Sequence, residues 1–423
     1  MRTGIKTLYN KIRLYVTYPD RLLKAFNSHK FPSYGISQWK IRLKIYSLRN
    51  YLNSIKLVPN LNEIRNTPHP LALKAWNSLL PYNPNNIGNW STFKQSDLDG
   101  TQKAEWLLIQ AMIDLYGGSQ SEWEGYVTNG ASDSNLYAMW LGRNSLINYF
   151  PIEKICVLQN DLTHYSVFKS SNILNLKIYS TQINSQTWTY DISSLKKTIE
   201  LLIRKDYRGF IIPLTNGYAQ TGTNDNYKKI TQMMAQLKKI YDIQYFIFID
   251  AALNGLVLPF STKNFYPLKD KNISSINVDF HKFGMVPFPC GIVLYRKNLR
   301  KSIQLHVQYL QDYDSTISGS RSGVSPVSAL MVLLALGKTG FSNAVQLSIQ
   351  SKNEFIKQVE KKFKKVEIIN DEQSITIGLA SKNPLPKEFL NSTGLFSRKM
   401  TYHFEDKDRK LFIYKATFIK YKN

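Results

Sequence analysis

Between residues 154 and 296 the sequence alternates short apolar runs with longer stretches of helical spacing, and this alternation restricts the possible folds more than any other feature. The apolar runs are KICVLQ, NLKIYS, FIIPL, QYFIFID, SINVDF and GIVLYR. They are separated by helical stretches such as DISSLKKTIELLIRK and NYKKITQMMAQLKKIY. Strands that alternate with helices of this length form parallel βαβ units, with right-handed crossovers and helices on both sheet faces. The pattern predicts an α/β fold with a large, doubly wound, mostly parallel sheet.

The segments on either side of this region have a different character, and we predict three parts. Residues 1–65 form a basic N-terminal arm, followed by the Pro- and Asn-rich connection LVPNLNEIRNTPHPLA. Residues 66–343 form the large domain. Residues 344–423 combine a charged helix, SKNEFIKQVEKKFKK, with the strand-like runs VEII, SITIGLA and KLFIYKATF, and they are predicted to form a small α+β C-terminal domain.

The chain is strongly basic, with a formal net charge of +25 over 423 residues. The arm alone holds thirteen Lys or Arg against two acids, and its stretches KTLYNKIRLYV and WKIRLKIYSLRNYLNSIKL are typical of amphipathic helices with basic faces. Such helices suit contact with a membrane surface. The alternative is an arm that packs on the main domain or on a second subunit. We favour this alternative because Lys, Asn and Ile are abundant throughout the chain, and we expect no nucleic-acid partner.

The two cysteines, Cys156 and Cys290, do not have the spacing of metal ligands. This predicts neither a zinc site nor a disulfide scaffold, and it fits a reducing compartment. No run approaches the roughly 18 uninterrupted apolar residues of a membrane span, and the N-terminus lacks an apolar signal core. We therefore expect a cytoplasmic protein with no bound metal.

Four features at predicted strand ends could bind a ligand, and the first is the loop TNGASDSN at 128–135. It opens the helix SNLYAMWLGRN, and small residues at a helix start leave amide N–H groups free for an anion such as phosphate. A Gly-Ala-Ser turn is also an ordinary helix cap. The second feature, His164 in THYSVFKSS, could stack on a flat ring or transfer a proton, or it could cap the next helix.

The third feature is Asp250, which ends the apolar strand QYFIFID. A buried carboxylate is costly unless a cation or a hydrogen-bond donor meets it, although a strand-terminal Asp can also cap the next turn. The fourth is His281-Lys282 at the end of SINVDF, where a partly desolvated lysine could form an imine. Pyridoxal 5'-phosphate needs all four features, because it has a phosphate, a stackable ring, a ring nitrogen that pairs with a carboxylate, and an aldehyde.

At these positions the chain resembles the group II pyridoxal-phosphate-dependent amino-acid decarboxylases, which have the aspartate aminotransferase fold of type I. TNGASDSNLYAMWLGR resembles the family's phosphate loop T-S-G-G-T-E-S-N-L-Y, and THYSVFK is similar to the segment of its ring-stacking histidine. IDAALNGLVLPF resembles the strand with the pyridinium-binding Asp, and VDFHKFGMVPFPCG the lysine segment. DSTISGSRSG resembles D-T-T-I-x-G-S-R-x-G, which in the family lies near the neighbouring subunit's cofactor. Five matches in order are more specific than any one of them.

The resemblance implies roles for nine residues. Lys282 would carry the cofactor as an imine, and His281 would contact its phosphate. Asp250 would pair with the ring nitrogen, Ala252 would lie under the ring, and His164 would stack above it. Ala131 and Ser132 would bind the phosphate, together with Ser320 of a partner subunit. Thr215 would lie near the ring. A homodimer with a shared active site is therefore implied.

Two departures affect the implied activity. The Gly-Thr-Glu of the phosphate loop is Ala-Ser-Asp here, and the loop N-x-G-T-T has become TNGYA, without either threonine. The implied reaction is decarboxylation of an amino acid. HYSVFK, DAALNGLVLPF and PFPCGIVL favour histidine, whereas VDFHKFGM and GSRSG equally resemble tyrosine and aspartate decarboxylases. A lyase of the same fold and a non-catalytic homologue that binds membrane or nucleic acid through the arm are the alternatives.

Overall fold

The computed structural model describes residues 37–55, 60–61, 67–88, 100–308 and 312–421. The chain divides into two compact units, one of residues 62–385 and 396–423 and the other of residues 1–61 and 386–395. The predicted helix KTLYNKIRLYV and half of the predicted connection at 57–72 lie outside the described residues.

The strands are β1 Asn85–Ile87, β2 Trp123–Thr128, β3 Ile155–Gln159, β4 Lys177–Ser180, β5 Gly209–Thr215, β6 Gln244–Asp250, β7 Ile273–Asp279, β8 Gly291–Arg296, β9 Leu305–Val307, β10 Asp312–Asp314, β11 Ser320–Ser322, β12 Glu367–Asn370, β13 Thr376–Ser381, β14 Lys399–His403 and β15 Asp408–Thr417. The α-helices are α1 Gln38–Ile55, α2 Pro70–Leu79, α3 Gly100–Leu115, α4 Ala131–Ile147, α5 Tyr165–Ile173, α6 Ile192–Arg204, α7 Tyr227–Ile240, α8 Leu258–Ser261, α9 Val324–Lys362 and α10 Lys387–Thr393.

The large sheet has seven strands in the order β2-β8-β7-β6-β5-β3-β4. The five strands from β7 to β4 run parallel, and β8 runs antiparallel to both of its neighbours. The six apolar runs singled out in the sequence are strands β3 to β8 of this sheet, which confirms the predicted mostly parallel α/β fold. Because β3, β5, β6 and β7 are parallel, their carboxyl ends lie along one edge of the sheet, where ligands bind in folds of this kind.

Both faces of the sheet are covered by helices, as a doubly wound fold requires. Alternate residues of one strand contribute to opposite cores: Phe210 and Ile212 belong to the core that contains α3, α6 and α7 side chains. Ile211 belongs to the core on the other face, beneath α4. The period of two along each strand explains why the sequence shows nearly continuous apolar runs, since both faces are buried.

The C-terminal part contains a four-stranded antiparallel sheet in the order β12-β13-β15-β14. Three of its strands match the runs predicted from the sequence, and β14 was not predicted. The predicted domain boundary at 343/344 falls inside α9, six residues after Gly337, where the backbone leaves helical geometry with φ of 55°. The division into three domains stays a prediction.

By length and composition alone, α9 is long and apolar enough to cross a membrane. It packs against α2 and α3, and its residues Ala329, Val332 and Phe341 lie in the main core. We interpret α9 as a core helix.

Helix α1 belongs to the smaller unit and confirms the helix predicted from WKIRLKIYSLRNYLNSIKL. It carries exposed apolar side chains, among them Trp39 and Leu43, beside basic residues such as Arg42. The membrane-surface role considered for the arm stays a prediction.

In the second half of α9, Lys352 is a fully buried lysine whose Nζ donates to the backbone carbonyl of Asp371 at 2.7 Å. Burial lowers the pKa of Lys352 to about 8, although the carboxylates of Asp371 and Glu372 act in the opposite direction. A lysine in the unfolded chain keeps its usual pKa of 10.5. Between these values the unfolded chain binds more protons than the folded chain, so the free energy of unfolding should rise with pH across this window.

We therefore expect the free energy of unfolding of the wild type, relative to that of Lys352→Met, to rise by about 2 to 3 kcal/mol between pH 8 and pH 10.5. Urea unfolding at a series of pH values measures this difference. Lys357→Met, on the exposed face of the same helix, is the matched control. Equal pH slopes for the wild type and Lys352→Met would contradict the prediction.

Candidate functional site

The turn between β2 and α4 forms one end of the candidate site. Gly130 precedes the helix with φ of 112°, a conformation that favours glycine. In the described part of the chain, no acceptor contacts the amide N–H of Ala131 or Ser132, the first two residues of α4. The carboxylate of Asp133 accepts from the amide of Asn129 at 3.1 Å and closes the turn. The two free amides and the helix dipole can therefore bind a phosphate.

His281 lies directly against this turn. A Cβ atom on Gly130 would come within 2.8 Å of His281 Cε1, so only glycine allows this approach. His281 Nδ1 accepts from the amide of Cys290 at 3.2 Å, and the ring of Phe288 lies 4.2 Å from the imidazole. Burial lowers the pKa of His281, which favours its neutral form. The structure therefore places His281 beside the predicted phosphate-binding amides.

Asp250 lies at the carboxyl end of β6, and amide groups fix both of its oxygens. Oδ2 accepts from Asn135 Nδ2 at 2.7 Å, and Oδ1 accepts from the amide of Ala252 at 3.1 Å. Asn135 is oriented in turn by Asn277, whose Nδ2 donates to Asn135 Oδ1 at 2.6 Å. These donors satisfy a carboxylate that is only 5% exposed, and they hold it in one orientation.

A hydrogen-bonded chain connects Asp250 with His164. Asn135 Nδ2 also donates to Ser166 Oγ at 2.9 Å, and Ser166 Oγ lies 2.8 Å from His164 Nδ1. His164 is the N-cap of α5, as expected from its position. Burial lowers the pKa of His164 most; the carboxylates of Asp250 and Asp279 oppose this shift, and Lys282 adds to it. The lowered pKa favours the neutral form of the ring, which lies within the electrostatic influence of Asp250, Asp279 and Lys282.

Thr215 ends β5 and pairs in register with Asp250 of the neighbouring strand. Its amide donates to Asp225 Oδ2 at 2.7 Å, and Asp225 also accepts from the hydroxyl of Tyr218 at 2.8 Å. Through these two hydrogen bonds Asp225 fixes the backbone of the loop that follows Thr215. Burial raises the pKa of Asp225 to about 6.

Tyr218 stands where the family's loop has a threonine, and the structure shows what it does. Its side chain is fully buried in a third apolar cluster with Trp188 and residues of the C-terminal sheet such as Tyr402. Its hydroxyl accepts from Asn160 Nδ2 at 2.8 Å. The replacement therefore joins the ends of β3 and β5 to the packing of the C-terminal sheet.

Lys282 follows β7, and its Nζ forms an ion pair with Asp279 Oδ2 at 2.9 Å. Its side chain is 25% exposed, whereas Asp279 is 3% exposed. Lys282 is thus partly desolvated at the edge of the sheet, next to His281 and within the electrostatic influence of His164.

Ser320 is exposed and lies outside this cluster. In β11 it accepts from Asn85 Nδ2 at 3.2 Å, and no hydrogen bond within the described ranges joins it to the other predicted site residues. The next residue, Arg321, is buried and binds the carboxylate of Glu105 and the carbonyl of Val127. The hydrogen bond to Val127 fixes β11 beside the end of β2, and the ion pair joins β11 to α3, while Ser320 is exposed to solvent.

The structure thus brings eight of the nine predicted residues to one edge of the sheet and leaves Ser320 at the surface. Sequence reasoning missed the residues that orient them, namely Asn135, Ser166 and Asn277 in the amide network and Asp279 beside Lys282. Asn135 belongs to the motif S-N-L-Y and could have been found there, whereas nothing in the sequence signalled Ser166. The described residues contain no group of three His, Cys, Asp or Glu side chains suited to a metal ion.

These residues fit pyridoxal 5'-phosphate. The amides of Ala131 and Ser132 provide free donors for a phosphate, and the oriented carboxylate of Asp250 can pair with a protonated ring nitrogen. Ala252 is small enough to leave room for a ring, and Lys282 provides the amine.

The sequence matches the model of the pyridoxal-dependent decarboxylase conserved domain over residues 103–380. Curated relatives include a tryptophan decarboxylase of Clostridium sporogenes, 33% identical over 62% of this chain and 64% of the relative. A histidine decarboxylase of Solanum lycopersicum is 29% identical over 64% of this chain and 62% of the relative. A histidine decarboxylase of Vibrio anguillarum is 30% identical over 65% of this chain and 69% of the relative. The chain spans less than two thirds of the length of the first two relatives.

Solved structures with the same fold include L-methionine decarboxylase from Streptomyces sp. 590, with a TM-score of 0.77 over 92% of this chain and 93% of that chain. Glutamate decarboxylase of Lactobacillus brevis matches with a TM-score of 0.73 over 92% of this chain and 90% of that chain. Both are 15% identical in sequence and therefore support the fold alone.

Proposed function

Because this chain belongs to the family of pyridoxal-dependent decarboxylases, we propose that it removes the α-carboxylate of an L-amino acid as carbon dioxide and releases the amine. The cofactor is pyridoxal 5'-phosphate. The observation that carries the proposal is the convergence of Lys282, Asp250 and His164 at one edge of the sheet, beside two helix-start amides. Each of the three provides a group that this chemistry needs.

When bound, pyridoxal 5'-phosphate supplies an aldehyde that links to an amine and a ring that accepts the electron pair left when carbon dioxide departs. The amides of Ala131 and Ser132 would bind its phosphate, with His281 packed against the same turn. Lys282 would anchor the cofactor through its Nζ. Asp250 would hold a proton at the ring nitrogen, since an opposite charge in a sheltered site favours the charged form.

His164 would stack above the ring, with Ala252 below it and Thr215 near the ring from the neighbouring strand. A neutral imidazole suits this position, because a second cation would oppose the protonated ring nitrogen. The hydrogen bond to Ser166 fixes the plane of the imidazole, and the Asn135 amide couples that plane to the orientation of Asp250.

We expect His164→Asn to lower kcat by about a hundredfold while leaving the cofactor bound. Asparagine still caps a helix, so the change removes the ring and keeps the start of α5. Steady-state kinetics, together with the visible absorbance of the bound cofactor, measure both effects. His403→Asn is the matched control, because His403 is an exposed histidine that binds Asp161. An unchanged kcat would remove His164 from the reaction.

For the substrate we propose histidine, with histamine as the product. The segments HYSVFK, DAALNGLVLPF and PFPCGIVL support this choice, and several of the relatives are histidine decarboxylases. Tyrosine, aspartate, tryptophan and serine are the alternatives, supported by VDFHKFGM, GSRSG and the other relatives. Carbon dioxide release from single carboxyl-labelled amino acids tests this, and the highest kcat/KM identifies the substrate. A higher value for any other amino acid would overturn the choice of histidine.

Two other functions are kept as alternatives. A pyridoxal-phosphate lyase that acts on a carbon-carbon or carbon-sulfur bond would bind the cofactor and release no carbon dioxide from these amino acids. A non-catalytic homologue would bind lipid or nucleic acid in a salt-sensitive manner, and deletion of residues 1–60 would abolish that binding.

We also propose that the active protein is a cytoplasmic homodimer in which Ser320 contacts the phosphate in the partner's site. Ser320 is exposed, and three residues before it Ile317 is exposed as well. Phe288, whose ring lies against His281, is 59% exposed. A large apolar side chain beside a binding site is commonly covered by another chain or by a ligand.

A mixed dimer should test this arrangement. We expect Ser320→Asp to weaken cofactor binding by at least about tenfold through repulsion of the phosphate, and Lys282→Ala to be inactive. In a heterodimer of the two variants, one site would combine the intact Lys282 with the intact Ser320. At a cofactor concentration too low to load the Ser320→Asp dimer, refolding the two variants together should therefore restore about a quarter of the wild-type sites. No gain of activity on mixing, or a monomer in sedimentation of the loaded protein, would contradict the shared site.

A further inference from the structure

Asp279 is a buried carboxylate that the roles above do not use. It ends β7 between the first residue of β8 and the turn before α4, and it is 3% exposed. Its Oδ1 has no hydrogen-bond donor among the described residues. Glycines line that oxygen: a Cβ on Gly291 would lie 2.9 Å from it, and a Cβ on Gly130 would lie 3.5 Å from it. Oδ1 is therefore enclosed and lacks a hydrogen-bond donor. A buried charge without a partner is energetically costly.

The other oxygen, Oδ2, faces two basic groups. Lys282 Nζ lies 2.9 Å away, and His281 Nε2 lies 3.4 Å away. Because His281 Nδ1 accepts from the amide of Cys290, the ring hydrogen of the neutral imidazole is on Nε2. A neutral imidazole cannot balance the carboxylate. The positive charge that offsets Asp279 is therefore that of Lys282.

We propose that Asp279 is the counter-ion of Lys282, and that it fixes the position of Nζ and stabilises the positive charge on that nitrogen both before and after the cofactor is attached. This inference extends the proposed function and rests on it for the cofactor-bound state. Asp279 is a positioning residue, since it acts on the reacting atoms through Lys282. Its Coulomb interaction is strong because burial limits screening by water and salt.

The same charge has a consequence for the phosphate site. The free amides of Ala131 and Ser132 follow Gly130, on which a Cβ would lie only 3.5 Å from Asp279 Oδ1. A carboxylate so close to a bound phosphate would repel it unless a cation stayed paired with Asp279. The positive charge of Lys282, 2.9 Å from Asp279 Oδ2, meets this need. Among the described residues, the further titratable groups that interact electrostatically with the pair are His164, before α5, and Cys290, before β8.

The first test uses the cofactor-free protein and needs no activity. Reductive methylation with formaldehyde and cyanoborohydride modifies only neutral amines, and peptide mass spectrometry reports the rate at each lysine. At pH 7 we expect Asp279→Asn to raise the labelling rate of Lys282, relative to the exposed Lys271, by at least about tenfold. Asp161→Asn, which removes a carboxylate bound to His403, should leave the ratio unchanged.

The pH dependence separates loss of charge from opening of the site. In strongly alkaline solution, where amines lose their protons, the wild type and Asp279→Asn should label Lys282 equally. A difference that persists there, or an equal ratio at pH 7, would overturn the proposal.

The second test uses the loaded protein and its visible absorbance. The band of the protonated cofactor–lysine linkage should persist in the wild type to a pH about one unit or more higher than in Asp279→Asn. Equal midpoints would contradict the role of Asp279 after attachment. The labelling rates do not depend on catalysis. If they change as expected but the loaded protein makes no amine, the proposed function is refuted, whereas the role of Asp279 as counter-ion of Lys282 stands.

Discussion

Replacing Lys282 with alanine should abolish the visible absorbance of the bound cofactor and lower decarboxylase activity by at least about ten thousandfold. Among the residues that the structure describes, Lys282 is the one lysine of the eight predicted site residues at the sheet edge, and its Nζ is partly desolvated and paired with Asp279. Without that amine the cofactor has no covalent anchor. Absorbance spectra and activity assays of the same preparation measure both losses.

Borohydride reduction provides the companion measurement for this variant. In the wild type the reduced cofactor should be found on the peptide that contains Lys282, and in Lys282→Ala it should be absent from every peptide. Lys271→Ala, an exposed lysine just before β7, is the matched control and should trap cofactor like the wild type. Cofactor trapped on another lysine would refute the assignment of the whole site.

The second large effect is expected at Asp250. Asp250→Asn keeps the size of the side chain but removes the charge that would hold a proton at the ring nitrogen. We expect kcat to fall between about a hundredfold and a thousandfold, as for the loss of a charge aimed at the reacting group. Lys282 should still trap the cofactor, because it follows a different strand, β7.

Asp242→Asn controls for this change, since Asp242 is exposed in the turn before β6. Its kinetics should match those of the wild type. If Asp250→Asn kept its kcat, or if it lost the cofactor altogether, the carboxylate would not have the role proposed here.

Much of the fold could be predicted because its determinants are local. In β3 to β8 the apolar runs are nearly continuous, since both sheet faces are buried, and this signal survives in a single sequence. Strand β8 coincides with the predicted run GIVLYR, although its antiparallel direction could not be read from the pattern. Strand β14 has one buried residue among its five, so its sequence lacks the apolar run that predicts the other strands. Its position follows from pairing with β15, which is a long-range interaction.

The candidate site was predictable to the extent that strand ends mark it. Asp250 and Lys282 each close an apolar strand, so their chemistry was visible in the sequence. The amide network of Asn135 and Asn277 was not, because it joins residues 142 positions apart. The ion pair of Asp279 with Lys282 escaped notice for another reason: the sequence does not say that Asp279 is buried or that its second oxygen lacks a donor.

The most direct test of the account is to incubate the loaded protein with a pool of amino acids and to search for new amines by mass spectrometry, with Lys282→Ala in parallel. We expect a single new amine, histamine if histidine is the substrate, formed together with an equal amount of carbon dioxide and absent from the variant. A protein that binds the cofactor on Lys282 and produces no amine from any amino acid would contradict decarboxylation as its function.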